Sequence, residues 1–256
     1  MSPMPDCATD NRRTTVSAWT RHGALLLCGV AFAALPAAVG SAAADDAAGP
    51  LVAQAETAPA NSSPTKSSVE APKPQSHVDV EKLMAPQALP DIVLGKEDAP
   101  VTIVEYASLT CSHCADFHKE TLPVVMKNYV DTGKVKFILR EFPFDPRSLA
   151  AFMIARCAPD GRRTAMTDVL FDQQNTWATA QNASEALLQL AKLAGFTQES
   201  FKACLTDKDL QQKVMQVQKA GEAFGVNATP TFFVNGDMYP GAFPPDEMSA
   251  IIDAHL

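Results

Sequence analysis

The stretch Thr110-Cys111-Ser112-His113-Cys114-Ala115 places two cysteines three positions apart, directly after a short apolar and β-branched run at 101–106. That run predicts a buried strand, and the residues from about 111 to 132 have the apolar periodicity of a helix. Thiols at positions i and i+3 in the first turn of a helix lie on one face, close enough to form a small disulfide ring. The helix dipole and the unpaired N–H groups at this end favour a negative charge on the first thiol. The stretch therefore predicts thiol–disulfide exchange.

The elements that follow predict an α/β domain. A second strand at about 135–142 would complete a strand–helix–strand unit, and its two strands are expected to be parallel. A stretch of helical character runs from about 148 to 224. Two short strands at 231–239 are joined by Asn235-Gly236, a pair that supplies the positive φ angles of a two-residue hairpin turn. A last helix is expected at about 245–254.

Several residues predict where these helices bend, begin and end. Pro123 should kink the helix that follows the cysteines, since proline removes one hydrogen bond and clashes with the turn before it. In the helical stretch, Ser184, Thr197 and Asp207 are suitable N-cap residues, and Gly195 is a natural stop.

Two motifs resemble a known family. The first is Glu105-Tyr106-Ala107-Ser108-Leu109 with the cysteine stretch, and the second is Ala228-Thr229-Pro230-Thr231-Phe232-Phe233-Val234-Asn235-Gly236. With the helical block between them, they resemble the DsbA-like thiol:disulfide oxidoreductases of bacterial envelopes, over about residues 90–256. The resemblance implies a thioredoxin fold with an inserted helical subdomain at about 148–224. It also implies donation of a disulfide to reduced, unfolded exported proteins through a mixed disulfide, and reoxidation by a DsbB-like membrane quinone reductase.

Roles for the residues of the cysteine stretch follow from their positions. Cys111 should be the exposed attacking thiolate, and Cys114, one turn further in, the buried resolving thiol. His113 can donate a hydrogen bond or carry a positive charge, and either would stabilise the Cys111 thiolate and make the disulfide more oxidising. Ser112 stands where DsbA usually has proline, so the direction of the exchange is less firmly predicted than the exchange itself.

Pro230 is the second element that the resemblance brings to the site. In the thioredoxin fold the corresponding proline is cis and packs opposite the paired cysteines, where it shapes the substrate groove. Thr229 would then present backbone groups to an extended substrate segment. The alternative is an ordinary trans proline that leads into an edge strand.

Glu105 lies six residues before Cys111 and near the end of the predicted strand. A buried carboxylate at this position matches an acidic residue of DsbA and would exchange protons with Cys114. The alternative is a partly exposed glutamate paired with Arg140 or Lys136 on the next strand.

Cys157 and Cys204 both fall in the helical block and are expected to form a structural disulfide, with two free buried thiols as the alternative. No second CxxC or paired histidine motif completes a four-ligand zinc site with the first pair. We therefore expect neither a metal nor a cofactor.

The N-terminal part of the chain is predicted to lie outside the fold. Residues 1–44 combine a basic start, an uncharged apolar run and Ser41-Ala42-Ala43-Ala44, as in a cleaved secretory signal peptide, which predicts a periplasmic protein. A retained membrane anchor is the alternative. Residues 45–88 are rich in Ala, Pro, Ser and Thr and are expected to be a disordered linker. The folded domain then spans 89–256.

The charge and the lack of an evident oligomerisation module limit the possible partners. The formal net charge of −8 argues against nucleic acid or anionic lipid as the main ligand. We expect a monomer, although a short arm at 78–84 is an alternative route to an oligomer. Such an oligomer would favour a disulfide isomerase or reductase over a disulfide donor. A rival of another class is a non-enzymatic binding module or holdase for unfolded chains.

Overall fold

The computed structural model describes residues 69–256, and the predicted signal peptide and residues 45–68 lie outside that range. The described chain forms one six-stranded sheet in the order β1-β6-β5-β3-β4-β2. The strands are β1 (Ser76–His77), β2 (Ile92–Leu94), β3 (Val101–Ala107), β4 (Val135–Glu141), β5 (Thr231–Val234) and β6 (Asp237–Pro240). Within residues 69–256, no helix is both long and apolar enough to span a membrane.

The parallel pair of β3 and β4 forms the centre of the sheet. Val101 pairs with Val135 at one end and Ala107 with Glu141 at the other, so the predicted strand–helix–strand unit is confirmed. On its other side β3 pairs antiparallel with β5, with Ile103 opposite Val234. Both faces of the sheet are covered, because buried residues of β3 contribute to an apolar cluster on each side. Burial on both faces explains why these strands are almost continuously apolar.

A helix with two π-type turns follows β3. Its segments are α2 (Ser112–Asp116), a π segment (Phe117–Thr121), α3 (Leu122–Val125) and a second π segment (Met126–Val130). The first π segment ends at Thr121, two residues before Pro123, which lies in the first turn of α3. Proline has no N–H and its ring clashes with the preceding turn, so the backbone widens there and the helix continues. The irregularity predicted at Pro123 therefore takes the form of a π turn.

The inserted subdomain contains six α-helices between β4 and β5. They are α4 (Pro146–Arg156), α5 (Arg163–Asp172), α6 (Gln174–Trp177), α7 (Ala183–Leu193), α8 (Gln198–Thr206) and α9 (Lys208–Ala223). Thr197 and Asp207 cap α8 and α9 as predicted. Asn182, rather than Ser184, caps α7 by accepting a hydrogen bond from the Glu185 N–H. An asparagine two residues earlier satisfies the same orphan donors.

The chain ends with the predicted hairpin and helix. Asn235 and Gly236, between β5 and β6, have φ angles of 47° and 92°, as a type I′ turn requires. The last helix is α10 (Pro245–Asp253). These elements complete a thioredoxin fold with an inserted helical subdomain, which confirms the predicted fold class.

The folded region begins earlier than the sequence predicted. We expected a disordered linker through residue 88, but β1 pairs antiparallel with β6 and is followed by helix α1 (Val80–Leu83). The Leu83 side chain is buried, and its carbonyl accepts a hydrogen bond of 2.7 Å from Arg140. Asp79 caps α1 through the N–H of Lys82. Short elements with few apolar residues leave little periodicity in the sequence, which is why this segment resembled a linker.

Candidate active site

Cys111 is the N-cap residue of α2. Its thiol is half-buried and lies 3.2 Å from the carbonyl oxygen of Thr229. The pKa of Cys111 is lowered from its ordinary value near 9 to about 5, chiefly by a hydrogen bond from the Cys114 thiol. A hydrogen bond from the Thr229 side chain and the backbone N–H groups of Cys114 and His113 add to this effect, whereas burial opposes it. Cys111 is therefore a thiolate at neutral pH.

Cys114 has the opposite character. It is fully buried, and burial raises the pKa of its thiol far above the ordinary value. The hydrogen bond with Cys111 and the charge of Glu105 raise it further. Both cysteines are free thiols in the structure. The site thus holds one stable thiolate and one buried proton-carrying thiol, which can close a disulfide only after that proton is removed.

His113 and Ser112 lie on the exposed side of α2. The backbone N–H of His113 contributes to the lowered pKa of Cys111. Our expectation assigned that stabilisation to the His113 imidazole, but the described contacts assign it to the backbone and to Cys114. This contribution comes from the position of residue 113 and not from its side chain. Any residue at that place in the first turn directs its backbone N–H towards the N-cap.

Thr229 and Pro230 lie opposite the cysteines, joined by a cis peptide bond. Pro230 is buried and Thr229 is partly exposed. The hydrogen bond between Thr229 and Cys111 connects this loop directly to the reactive sulfur. The two segments that carried the family resemblance are thus brought together from positions 118 residues apart.

Glu105 is fully buried in β3, directly beneath the active-site helix. Its Oε2 lies 2.8 Å from Nε2 of His118. The alternative pairing with Arg140 or Lys136 is wrong, since Arg140 binds Asp91 and Tyr106 while Lys136 lies near Glu97. We assigned no role to His118, yet its side chain is only 6% exposed. Its ring stacks on Phe171 with centroids 3.9 Å apart.

Sequence reasoning also missed a hydrogen-bonded frame around the loop that precedes Cys111. Gln174, buried in α6, donates from Nε2 to the carbonyl of Leu109 at 2.8 Å and to that of Cys111 at 2.9 Å. Ser148, buried in α4, lies 2.9 Å from the Ser108 hydroxyl and accepts from the Leu109 N–H. These contacts fix the cysteine loop to the helical subdomain.

Asp145, the N-cap of α4, extends this frame. It accepts hydrogen bonds from the N–H groups of Arg147 and Ser148, and its other oxygen accepts one from the hydroxyl of Thr110. The cap of a subdomain helix therefore also positions the residue that precedes Cys111.

Cys157 and Cys204 form a disulfide between the end of α4 and α8. Cys157 lies at the C-terminal end of α4, whereas the contacts with the cysteine loop lie at its N-terminal end. The second pair of cysteines is thus part of the subdomain's packing rather than of the reactive site.

Comparisons with known proteins agree with this geometry. Residues 87–254 match the family model described as Thioredoxin. The chain is 32% identical to alpha-DsbA1 of Wolbachia pipientis, whose crystal structure it matches with a TM-score of 0.62 over 68% of this chain and 94% of that one. It is 30% identical over 173 residues to a Bacillus cereus protein named "Probable disulfide bond formation protein D", covering 64% of this chain and 77% of that protein.

A Rickettsia bellii protein named "Putative protein-disulfide oxidoreductase" is 35% identical over 151 residues. The match covers 57% of this chain and 57% of that relative. The chain therefore matches less than two thirds of the Rickettsia protein's length.

Proposed function

This chain belongs to the thioredoxin family and to its DsbA-like members, and from that membership we propose that it is an exported protein thiol:disulfide oxidoreductase. In this proposal the Cys111–Cys114 disulfide is donated to reduced, unfolded proteins of the bacterial envelope. The names of the matched relatives support disulfide chemistry. The signal-peptide pattern of residues 1–44 supports export to the periplasm.

The observation that carries the proposal is the difference between the two thiols. Cys111 has a pKa of about 5, while that of Cys114 is strongly raised. A stable Cys111 thiolate is a good leaving group, and it stabilises the reduced form of the protein relative to the disulfide. A disulfide whose reduced form is stabilised is a strong oxidant. This supports disulfide donation over reduction.

In the proposed reaction, a substrate thiolate attacks Sγ of Cys111. The Cys111–Cys114 bond breaks, its electron pair goes to Cys114, and Cys114 takes up a proton. A mixed disulfide then links the substrate to Cys111. A second substrate thiolate attacks the substrate sulfur and releases Cys111 as a thiolate. The substrate loses two electrons and the protein gains them.

Substrate binding is proposed to use the groove beside Thr229 and Pro230. An extended segment there would pair with backbone groups, and its sequence would matter little because main-chain hydrogen bonds supply the affinity. Such a mode suits unfolded proteins. For reoxidation we propose a DsbB-like membrane quinone reductase, by family resemblance.

The deciding measurement is the equilibrium constant of the Cys111–Cys114 couple against glutathione. We expect a strongly oxidising value, with the protein largely reduced in buffers that leave thioredoxin oxidised. A thioredoxin-like value would contradict disulfide donation and favour a reductase.

Three assays run side by side separate the rival functions. Oxidation of a reduced peptide, refolding of scrambled ribonuclease and reduction of insulin are measured for the wild type and for Cys111→Ser. A donor excels in the first assay, an isomerase in the second and a reductase in the third. Suppression of aggregation that survives Cys111→Ser, without any exchange activity in the wild type, would instead favour a holdase.

A further inference from the structure

The buried pair of Glu105 and His118 has an unused hydrogen-bonding atom at each end. Glu105 is fully buried and the His118 side chain is 6% exposed. Within residues 69–256, neither Oε1 of Glu105 nor Nδ1 of His118 has a hydrogen-bond partner. Buried polar atoms are rarely left unpaired without a reason, such as an ordered water or a catalytic role. Among these residues, Oε1 of Glu105 and Nδ1 of His118 are therefore unpaired, while Oε2 and Nε2 are joined by a hydrogen bond of 2.8 Å.

A small cavity lies beside His118. Its volume is about 20 Å³, which is enough for one water molecule. One wall of the cavity is apolar and consists of side chains from β2 and β4 and of Leu122. Helix α5 provides the polar wall with Thr164, Thr167 and Asp168. Asp168 is exposed, so the polar wall of the cavity reaches solvent. Burial of part of this carboxyl raises the pKa of Asp168, and the charge of His118 opposes that shift.

The buried thiol of Cys114 needs a route by which protons can reach it from solvent. Its thiol is fully buried, and a substrate joined to Cys111 would occupy the groove at Thr229. Every exchange cycle nevertheless adds one proton to Cys114 and removes one. Glu105 is close enough for its charge to raise the pKa of the Cys114 thiol.

We infer that Asp168, a water in this cavity, His118 and Glu105 form a proton path that connects Cys114 with solvent on the side of the helical subdomain. The inference rests on the proposed function and assigns the proton step of the same site. The path leaves the substrate groove free, so the proton can move while a substrate is still bound. Stacking on Phe171 holds the His118 ring with Nε2 towards Glu105. The residue lines the cavity, and its buried Nδ1 has no hydrogen-bond partner among residues 69–256.

The proton balance is closed in both directions. When Cys114 leaves as a thiolate, a proton from the cavity water passes through His118 to the Glu105 carboxylate and on to Cys114, which leaves Glu105 ionised again. When Cys114 attacks, its proton passes to Glu105, then to His118 and out past Asp168. The hydrogen bond between Nε2 and Oε2 can form with the proton on either atom, so the pair can pass it on without rearrangement.

Some charged residues face His118 and others near it in sequence are exposed, and a test must distinguish the two sets. Strand β3 presents Glu105 and α5 presents Asp168, while the residues of β2 and β4 at the cavity are apolar. On its own helix, Lys119 and Glu120 are exposed. Substitutions at Glu105, His118 and Asp168 should therefore change the proton step, whereas substitution at Glu120 should not.

The test uses the reduced protein and the chromogenic disulfide DTNB in a stopped-flow instrument. Attack by Cys111 releases one coloured thiolate in a phase that depends on the DTNB concentration. Cys114 then resolves the mixed disulfide and releases a second in an intramolecular phase. We expect His118→Gln to slow the second phase by about tenfold, a fraction of what general acid–base catalysis provides. The first phase should stay unchanged.

Asp168→Asn supplies the second arm, and Glu120→Gln is the matched control on the exposed side of the helix. The second-phase rate is followed against pH for all variants. Asp168→Asn should slow this phase and flatten its pH dependence, and Glu120→Gln should reproduce the wild type. A second phase with the wild-type rate and pH profile in both His118→Gln and Asp168→Asn would overturn the path.

This outcome is separate from that of the proposed function. DTNB reports the two thiols whichever way electrons flow in the cell. If the wild type fails to oxidise reduced peptides while His118→Gln still slows the second phase, disulfide donation is wrong and the proton path stands. If donation holds and the second phase is unaffected, only the proton path is wrong. Asp168 is exposed, so Asp168→Asn remains informative even if His118→Gln does not fold.

Discussion

The side-chain amide of Gln174 donates a hydrogen bond of 2.9 Å to the carbonyl oxygen of Cys111. The same nitrogen donates to the carbonyl of Leu109. One buried side chain of the inserted subdomain thus fixes the backbone on which the reactive thiol is carried. The reactive loop belongs to the thioredoxin part of the chain, but its conformation depends on the insertion.

Replacing Gln174 by alanine should destabilise the protein by about 1–3 kcal/mol, because two carbonyls would lose their buried donor. Urea unfolding of the reduced protein measures this change. Asn175→Ala, on the exposed side of the same short helix, is the matched control and should be neutral. Equal stability of the two variants would show that the Gln174 bonds contribute nothing net.

The thiolate of Cys111 should titrate with a midpoint at about pH 5, followed by its ultraviolet absorbance in the reduced protein. Cys114→Ala removes the largest cause of the lowered pKa and should move this midpoint upwards. Cys114→Ser keeps a hydroxyl donor and should move it less. A midpoint near 9 in the wild type would contradict the site geometry described here.

The stability of the reduced protein should rise more steeply with pH than that of the oxidised protein. Between pH 5 and pH 9 the folded Cys111 is a thiolate and the unfolded one is a thiol, given its lowered pKa of about 5. The unfolded state then binds more protons, so the free energy of unfolding rises with pH. The contribution is complete above pH 9 and is lost as pH falls through about 5.

Urea unfolding of both redox forms across this range gives the check. Cys114 adds no slope well below pH 9, because its raised pKa keeps it protonated in the folded state and its ordinary pKa near 9 keeps it protonated in the unfolded state. Parallel curves for the reduced and oxidised forms would contradict the expected linkage.

Glu105→Gln should slow resolution of the mixed disulfide at neutral pH. The amide keeps the shape of the buried side chain but cannot accept the proton of Cys114. It also removes the charge that raises the pKa of Cys114, so the pH dependence of resolution should move to lower pH. Rates of substrate oxidation and of resolution equal to those of the wild type would refute the proton role of Glu105.

Removing the second disulfide with Cys157→Ser and Cys204→Ser should destabilise the protein without abolishing exchange. The two cysteines are 47 residues apart, and a closed loop of that size is worth roughly 4 kcal/mol as an upper figure. Urea unfolding measures the loss. The titration of Cys111 should be unchanged, since the disulfide lies at the far end of α4. A shifted midpoint would reveal coupling between the two pairs.

Much of the fold could be predicted because local patterns and topology agree. The apolar strands, the Asn235-Gly236 turn and the caps at Thr197 and Asp207 each act within a few residues. The paired cysteines and the Thr229-Pro230 motif predicted the reactive centre for the same reason. Their chemistry depends on residue type and spacing, which a sequence displays directly.

The partners that tune the centre could not be predicted. Which residues of the helix face β3 depends on the π turn at Phe117–Thr121, which departs from the 3.6-residue period on which facing is judged. His118 therefore looked like a surface residue. Gln174 lies in the polar run Asp172-Gln173-Gln174-Asn175, and nothing local indicates that one of these four side chains is buried beneath a loop 63 residues earlier.

The bond between Cys111 and Thr229 has a consequence for the nascent chain. A ribosome makes Cys111 and Cys114 more than a hundred residues before Thr229. Short isolated helices are marginal in water, so the cysteine segment alone lacks both its helix N-terminus and the Thr229 side chain, which help to lower the pKa of Cys111 in the folded protein. Until the segment that carries Thr229 joins the sheet, Cys111 lacks one of the groups that lower its pKa. The full reactivity of Cys111 is thus expected only once the segment around Thr229 has been synthesised and has folded against the cysteine loop.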